Sequence, residues 1–230
     1  GKITVPARQL TEFVTSIPSD TIDANLDNQT FNISTTNNSA SFNTIAADEF
    51  PSVTTVTNEK PILKIQKDDL IKAVNRVAFA CATDDIKPVL TGVLLEISGE
   101  SISFVGTDGL RLSRQIIKLE SSAAKEINIL VPVKALFELS HIVSEIDEDE
   151  DIEMYFIEDR NQVLFRYGDV DLVSRLIDGQ FPEYRQIIPT WYKTLCKVSK
   201  TDFLNSLKVT NIIAKSVLGN KIIMDMDPKT

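Results

Sequence analysis

An internal repeat constrains the fold of this chain more than any other feature of its sequence. Four segments share a short apolar strand pattern that passes directly into a helical pattern, and an apolar residue follows five positions after the aligned one. The aligned residues are Val5, Ile65, Val131 and Val198, and the apolar residues that follow are Leu10, Leu70, Leu136 and Phe203. The repeat predicts helices at residues 6–17, 67–81, 132–144 and 200–215, each preceded by a short strand.

Alternating strand patterns follow the first three predicted helices. They occupy residues 22–26, 101–105, 152–156, 161–165 and 170–176. Turn-forming pairs accompany them, at residues 27–28, 98–99, 108–109 and 158–159. The repeating unit is therefore β-α-β-β-β, and the predicted fold class is α+β.

The junctions between the units indicate how the units pair. A Phe-Pro pair and a polar stretch follow the first and third units, whereas the second unit continues through KLESSAAKEIN into the third. The second and third units therefore belong together. We predict a complete central domain at residues 60–188, the second half of another domain at 1–59, and the beginning of a third domain at 189–230.

The composition favours a globular cytoplasmic protein without a cofactor. The chain is 43% hydrophobic, which is enough for a sizeable core, yet it contains no apolar run of membrane-spanning length and no signal peptide at its start. Cys81 and Cys196 are far apart and belong to no metal-ligand pattern. The glycine-rich motifs of nucleotide-binding loops are also missing from the sequence.

An enzyme is the weaker interpretation of this sequence. Asp84, Asp85 and Asp108 could hold a divalent metal ion, which leaves a metal-dependent hydrolase as an alternative. No arrangement of a nucleophile with a base accompanies these carboxylates.

Charge is distributed unevenly along the chain. The net charge is −9, but the four predicted helices are weakly basic, so the remaining segments carry all of the negative excess. A chance distribution of few charges would explain this, and so would helices that face a polyanion. The cations that could face such a polyanion are Arg8, Lys72, Arg76, Lys87, Lys134, Lys208 and Lys215.

The stretch GTDGLRLS, at residues 106–113, predicts a β-hairpin with an Asp-Gly turn. Glycine readily adopts the positive φ that such turns require, and aspartate tolerates it. In this interpretation Leu110, Arg111 and Leu112 lie on the strand that follows the turn.

Three stretches, together with the paired units, resemble one known family. They are VLTGVLLEI at 89–97, GTDGLRLS at 106–113 and LIDGQFPEYRQIIP at 176–189. The family is the bacterial replicative sliding clamp, the beta subunit of the replicative DNA polymerase. The resemblance implies a non-catalytic protein of three two-unit domains, which closes as a homodimeric ring with helices on its inner face and antiparallel sheets outside. Such a ring encircles double-stranded DNA without regard to sequence and makes the polymerase processive.

The resemblance also implies a hydrophobic pocket for short peptide motifs of the polymerase catalytic subunit, the clamp loader, other polymerases and repair proteins. The matching residues are Leu90, Thr107, Gly109, Leu110, Arg111, Leu112, Pro182, Gln186 and Ile187. Gln186 stands where the family often has a basic residue, and Leu110 where a histidine is common. The subunit interface would lie near Ala40, Phe42 and Ile213. A clamp-like adaptor that binds peptides but not DNA is a further alternative.

Overall fold

The computed structural model describes residues 2–18, 21–50, 54–56, 59–146, 148, 150–216 and 221–225. The chain divides into two units, Gly1–Phe181 and Pro182–Thr230. Within the described ranges, no helix is long and apolar enough to cross a membrane. Pro51, of the first Phe-Pro pair, and residues 226–230, at the end of the fourth repeat, lie outside the described residues.

The first repeat forms a helix and a small antiparallel sheet. Its elements are strand β1 (Ile3–Thr4), helix α1 (Ala7–Ser16) and strands β2 (Asp23–Asp27), β3 (Thr30–Ser34), β4 (Ser39–Asn43) and β5 (Ile45–Ala46). The sheet has the order β2-β3-β4, while β1 pairs with β5. Phe13 of α1 packs edge-on against Phe42 of β4, with ring centroids 5.9 Å apart, and so joins the helix to the sheet.

The second and third repeats both have the predicted β-α-β-β-β order. The second consists of β6 (Leu63–Ile65), α2 (Lys67–Val77), β7 (Gly92–Ser98), β8 (Ser101–Thr107) and β9 (Leu112–Lys118). The third consists of β10 (Ile127–Pro132), α3 (Val133–Glu145), β11 (Ile152–Ile157), β12 (Gln162–Tyr167) and β13 (Val170–Arg175). The predicted α+β fold of repeated units is confirmed.

Each of these two repeats contributes its first strand to the sheet of the other. The two antiparallel sheets have the orders β10-β7-β8-β9 and β13-β12-β11-β6. Val131 of β10 lies opposite Val93, and Ile65 of β6 lies opposite Ile152. Neither repeat can therefore complete its own sheet alone, which explains why the units occur as a pair.

Apolar residues at the aligned positions of the repeats lie in the core shared by the second and third repeats, called here the central pair. Ile65, Leu70, Val131 and Leu136 are all buried there. Burial of each such side chain contributes about 1.5–3 kcal/mol relative to leaving it exposed. Helices α2 and α3 pack against each other and bury one side in this shared core, so their exposed sides form one continuous surface.

Residues 54–56 pack on the outer face of the sheet that contains β11 and β12. Val56 is buried against Tyr155 and Leu164. The Thr54 hydroxyl donates to Oε1 of Gln162 at 2.8 Å and accepts from Arg160 at 2.9 Å. These residues precede the predicted start of the central domain at residue 60, yet they contribute to its packing; the domain boundaries stay predictions.

The fourth repeat forms its helix but not the strand predicted before it. Helix α4 spans Lys200–Ala214, and the Ser199 hydroxyl caps it by accepting from the Asp202 N–H. Residues 193–198 have no regular structure, so the prediction of a strand ending at Val198 is wrong. In the central pair the equivalent strand is completed by the other repeat's sheet, and the described part of the second unit contains no sheet that could pair with it.

Candidate functional site

A cleft of about 360 Å³ lies beside the hairpin that joins β8 to β9. One wall is formed by the connection between residues 81 and 90, which follows α2, and the other by residues 108–111 of the hairpin. Both walls belong to the first unit. The chemistry of the cleft therefore depends on how these two segments are held.

The connection after α2 lies close to β8 because Gly106 has no side chain. A Cβ atom at Gly106 would lie 2.8 Å from Sγ of Cys81 and 2.9 Å from the carbonyl oxygen of Val77. The α-helix ends at Val77, earlier than predicted, and a 3-10 turn at Ala78–Ala80 brings the chain onto the strand. The predicted helix at 67–81 is therefore too long, because residues 78–80 form this 3-10 turn and Cys81 belongs to the cleft wall.

The base of this connection is closed by a backbone hydrogen bond and a buried thiol. The Ala82 N–H donates to the carbonyl oxygen of Leu90 at 2.9 Å. Burial, with a smaller contribution from the charge of Asp108, raises the pKa of Cys81 to about 11. The thiol is consequently neutral at physiological pH and acts as a small apolar group of the wall.

The hairpin loop is longer than the predicted two-residue turn. Thr107 lies opposite Leu112 in the β8–β9 register, which leaves four residues between the strands. The Asp108 carboxylate accepts hydrogen bonds from the backbone N–H groups of Leu110 and Arg111, both at 2.9 Å. These bonds take both N–H groups out of the strand ladder, so the prediction that Leu110 and Arg111 belong to the strand is wrong.

Further contacts hold this loop in a single conformation. Gly109 has a φ of 90°, which its lack of a Cβ permits. The Thr107 hydroxyl donates to the carbonyl oxygen of Arg111 at 2.6 Å and accepts from the Gly109 N–H at 3.0 Å. The hydrogen bonds from Arg111 and Leu110 hold the pKa of Asp108 below its ordinary value, so this carboxylate is ionised at neutral pH.

The rim of the cleft exposes apolar side chains on both walls. Leu110 is 97% exposed at the tip of the hairpin, and Ile86 is 84% exposed on the facing connection. The Arg111 guanidinium lies 5.7 Å from the centre of the Phe79 ring, and its Nε donates to Asp108 at 2.9 Å. Arg111 is thus fixed between a carboxylate and an aromatic ring, with its apolar stem along the wall.

The structure brings part of the predicted pocket together. Leu90, Gly109, Leu110 and Arg111 line the cleft. Thr107 is buried behind the loop, and Leu112 is partly buried at the start of β9. Pro182, Gln186 and Ile187 belong to the second unit, where Gln186 and Ile187 lie on a short 3-10 helix. Their role in the pocket stays a prediction.

Two apolar residues near the cleft were not predicted from the sequence, Phe79 and Ile86. Phe79 lies in the 3-10 turn that follows α2, inside the helix predicted at 67–81, and Ile86 lies in the irregular connection after it. A single isoleucine between Asp85 and Lys87, in an otherwise polar run, was the available signal.

The carboxylates considered for a metal site are used for local structure or lie exposed. Asp108 is occupied by the loop contacts described above, and Asp84 accepts from the Ile86 N–H at 3.2 Å. Asp85 is exposed. Across the described residues, no group of three or more His, Cys, Asp and Glu side chains is arranged to hold a metal ion.

The predicted DNA-facing cations are exposed, but several are paired within the chain. Arg8 pairs with Glu12 at 2.9 Å, Lys72 lies near two carboxylates, and Arg76 donates to Gln115. The others lie exposed on or beside elements of the two units: Lys134 on α3, Lys208 on α4, Lys215 just after α4, and Lys87 in the cleft wall. Because α3 includes Glu145 and α4 ends before Lys215, the helices are nearer to neutral than their predicted bounds implied.

The residues predicted for a subunit interface differ in accessibility. Phe42 is buried against Phe13, while Ala40 is partly buried on β4, which lies at the edge of its sheet. Ile213 is exposed on α4. The assignment of these residues to an interface stays a prediction.

Comparison with solved structures defines the class of protein to which this fold belongs. The DNA polymerase sliding clamp from Bacillus subtilis superposes with a TM-score of 0.80 at 29% sequence identity, over 93% of this chain and 55% of that one. A sliding clamp from Pseudomonas aeruginosa, crystallised bound to griselimycin, has a TM-score of 0.76 at 26% identity, over 92% of this chain and 56% of that one. The fold is that of a DNA sliding clamp.

Sequence comparison then gives the family. The model of the central domain of the DNA polymerase III beta subunit matches residues 64–183. The beta sliding clamp of Synechococcus elongatus is 32% identical over 233 residues, covering the whole of this chain and 60% of the relative. The chain belongs to the DNA polymerase III beta subunit family, and it spans about 60% of the length of the curated relatives that it matches.

Proposed function

We propose that the gene product carrying this chain is a sliding clamp that encircles duplex DNA and tethers the replicative polymerase through the cleft beside the β8–β9 hairpin. The observation that carries the proposal is the cleft itself, in which a fixed loop presents a fully exposed leucine across from an exposed isoleucine, within a chain of this family. Exposed apolar side chains around a formed cleft are typical of sites for short peptide motifs.

The cleft can supply the affinity that tethering requires. Covering a side chain such as Leu110 contributes about 1.5–3 kcal/mol, so a peptide that covers a few such groups reaches micromolar affinity, about −8 kcal/mol. A weak contact of this kind becomes effective when ring and polymerase share one DNA molecule, since binding is then intramolecular. The clamp loader, other polymerases and repair proteins would compete for the same cleft.

The DNA contact needs neither sequence readout nor catalysis. Exposed lysines and arginines on the helices would meet phosphates, which are the same in every sequence. A closed homodimeric ring, with Ala40, Phe42 and Ile213 near the subunit contact, would stay on DNA through topology while these contacts exchange. Such a protein would act in the bacterial cytoplasm, without a cofactor.

The alternatives have less support. A metal-dependent hydrolase would need Asp84, Asp85 or Asp108 free to bind metal, and Asp108 is held by three hydrogen bonds from its own loop. An adaptor that binds peptides but not DNA shares the cleft and differs only in lacking the DNA contact, which DNA loading of the gene product would reveal.

A peptide-binding measurement tests the cleft. The probe is a fluorescent peptide from the C-terminus of the polymerase catalytic subunit encoded in the same genome, titrated with wild-type chain, with Leu110→Asp, and with the control Ile116→Asp. Ile116 is half-exposed on β9 and does not line the cleft. We expect Leu110→Asp to weaken binding at least tenfold while Ile116→Asp stays within twofold, and griselimycin to displace the peptide.

Equal binding by both variants would contradict the assignment of the cleft. Circular dichroism and thermal unfolding of each variant show whether a loss comes from misfolding. Because Leu110 is exposed at the tip of the hairpin, outside the core, its replacement should leave the thermal unfolding temperature unchanged.

A further inference from the structure

The exposed sides of α2 and α3 form a surface of balanced charge, called here the central helix surface. Its cations are Lys67, Lys72, Arg76 and Lys134, and its anions are Asp68, Asp69, Glu138 and Glu145. The numbers of cations and anions are equal, so this surface has no net charge to attract a polyanion at long range.

Most cations of the central helix surface already have an acceptor within the chain. Nζ of Lys67 donates to the carbonyl oxygen of Ile146 at 2.7 Å. Nη1 of Arg76 donates to Oε1 of Gln115 at 3.1 Å. In the part of the chain that the structure describes, Lys134 has neither an ion pair nor a hydrogen bond.

Lys72 differs from these because it is shared between two carboxylates. Its Nζ lies 3.7 Å from Oδ2 of Asp68 and 3.9 Å from Oδ1 of Asp69, and all three side chains are substantially exposed. Both distances exceed a normal hydrogen bond, so the attraction is mainly electrostatic and screened by solvent. Asp68 and Asp69 also occupy the first turn of α2, where the helix dipole favours a negative charge and so holds both carboxylates near Lys72.

We propose that Asp68 and Asp69 compete with DNA phosphates for Lys72 and thereby keep the contact between the central helix surface and duplex DNA weak. The proposal rests on the proposed function, because it requires that this surface meets DNA. A phosphate can displace the two carboxylates, since the pairs are exposed and loose. The free energy gained from the phosphate is then partly offset by the loss of the attraction between Lys72 and its own carboxylates. The lysine then alternates between its own carboxylates and successive phosphates, which suits a protein that moves along DNA.

The test compares three versions of this chain: wild type, Asp68→Asn/Asp69→Asn, and the control Asp23→Asn/Asp169→Asn. The control removes the same charge from exposed carboxylates on β2 and on the turn between β12 and β13, neither of which has an ion pair among the described residues. Binding of a fluorescent 20-base-pair duplex is measured by anisotropy from low salt to about 0.2 M salt, and thermal unfolding verifies that all three proteins are folded.

Release of one lysine to a phosphate should steepen the slope of log K against log salt by about 0.9 and raise the affinity roughly three- to tenfold near 0.1 M salt. We expect this change for Asp68→Asn/Asp69→Asn, and a change below twofold for the control. If wild type binds duplex DNA and both variants resemble it, or both gain equally through net charge, the competition proposed here is wrong while the function stands. If none of the three binds at low salt, the central helix surface makes no contact with duplex DNA for which carboxylates could compete, and the proposal is wrong; the proposed function is tested separately, by retention on circular DNA.

Discussion

Replacement of Gly106 by alanine tests the packing that holds one wall of the cleft. The added methyl group would lie 2.8 Å from Sγ of Cys81, 2.9 Å from the carbonyl oxygen of Val77 and 3.0 Å from a methyl carbon of Val77. Ordinary contacts are several tenths of an ångström longer, and a backbone carbonyl at the end of α2 cannot rotate away as a side chain can. Overpacking of this kind costs about 1–3 kcal/mol.

The assay is urea unfolding, followed by circular dichroism, of wild type, Gly106→Ala, Cys81→Ala and the double variant. Gly106→Ala should lower the free energy of unfolding by about 1–3 kcal/mol, or the melting temperature by about 2–4 °C for each kcal/mol. Cys81→Ala removes the sulfur but leaves the carbonyl oxygen of Val77, so the cost of Gly106→Ala should shrink without vanishing. A coupling of about 0.5 kcal/mol or more is expected for residues in contact.

Two results would contradict this close packing around Gly106. A loss below about 0.5 kcal/mol for Gly106→Ala would mean that the wall has room for a methyl group. Additive effects of the two substitutions would mean that Cys81 and position 106 do not touch.

Three further predictions concern the core, the thiols and the loop. Leu136→Ala should destabilise the chain by about 2–5 kcal/mol because the side chain is fully buried, whereas Phe137→Ala, half-exposed on the same helix, should cost far less in the same urea titration. At pH 8, Ellman's reagent should modify exposed Cys196 rapidly and Cys81 only on unfolding, since burial raises the pKa of the Cys81 thiol to about 11; a fast phase that survives Cys196→Ser would contradict this. Because the pKa of Asp108 is lowered in the folded chain, its loop contacts stabilise the hairpin fully above the ordinary carboxyl pKa, and this stabilisation is lost as pH falls through the lowered pKa. An NMR titration of Asp108 measures that pKa. A midpoint at or above that of an unstructured peptide would be inconsistent with the loop hydrogen bonds.

The repeat was predictable because local patterns encode it. Leu70 and Leu136 occupy equivalent helical positions, and both are fully buried in the core. The exchange of β6 and β10 between the two sheets was not predictable, since each pairs with strands distant in sequence and the strand pattern alone does not name its partner. The strand predicted to end at Val198 is absent for the same reason. A segment with a strand pattern forms a strand only where it can pair with a neighbouring strand.

Two features of the cleft were not predictable from local sequence: the length of the hairpin loop and the packing of the opposite wall. A Thr-Asp-Gly sequence marks a turn but does not set its length. Four residues form the loop because the Asp108 carboxylate accepts the N–H groups of Leu110 and Arg111, which would otherwise pair within the sheet. The wall opposite depends on the missing side chain of Gly106 and on Cys81, which are brought together only by the fold. Resemblance to the family supplied Leu90 and Leu110 as pocket residues, whereas Ile86 required the structure.

The most direct test of the account is retention of the gene product carrying this chain on circular DNA. The protein is loaded with its clamp loader onto a nicked circular plasmid, separated from free protein by gel filtration, and measured again after the plasmid is cut once with a restriction enzyme. A sliding clamp should elute with the circle and be lost from the linear molecule, because it slides off the ends. Equal retention on circular and linear DNA, or no retention on the circle, would mean that the gene product is not a sliding clamp.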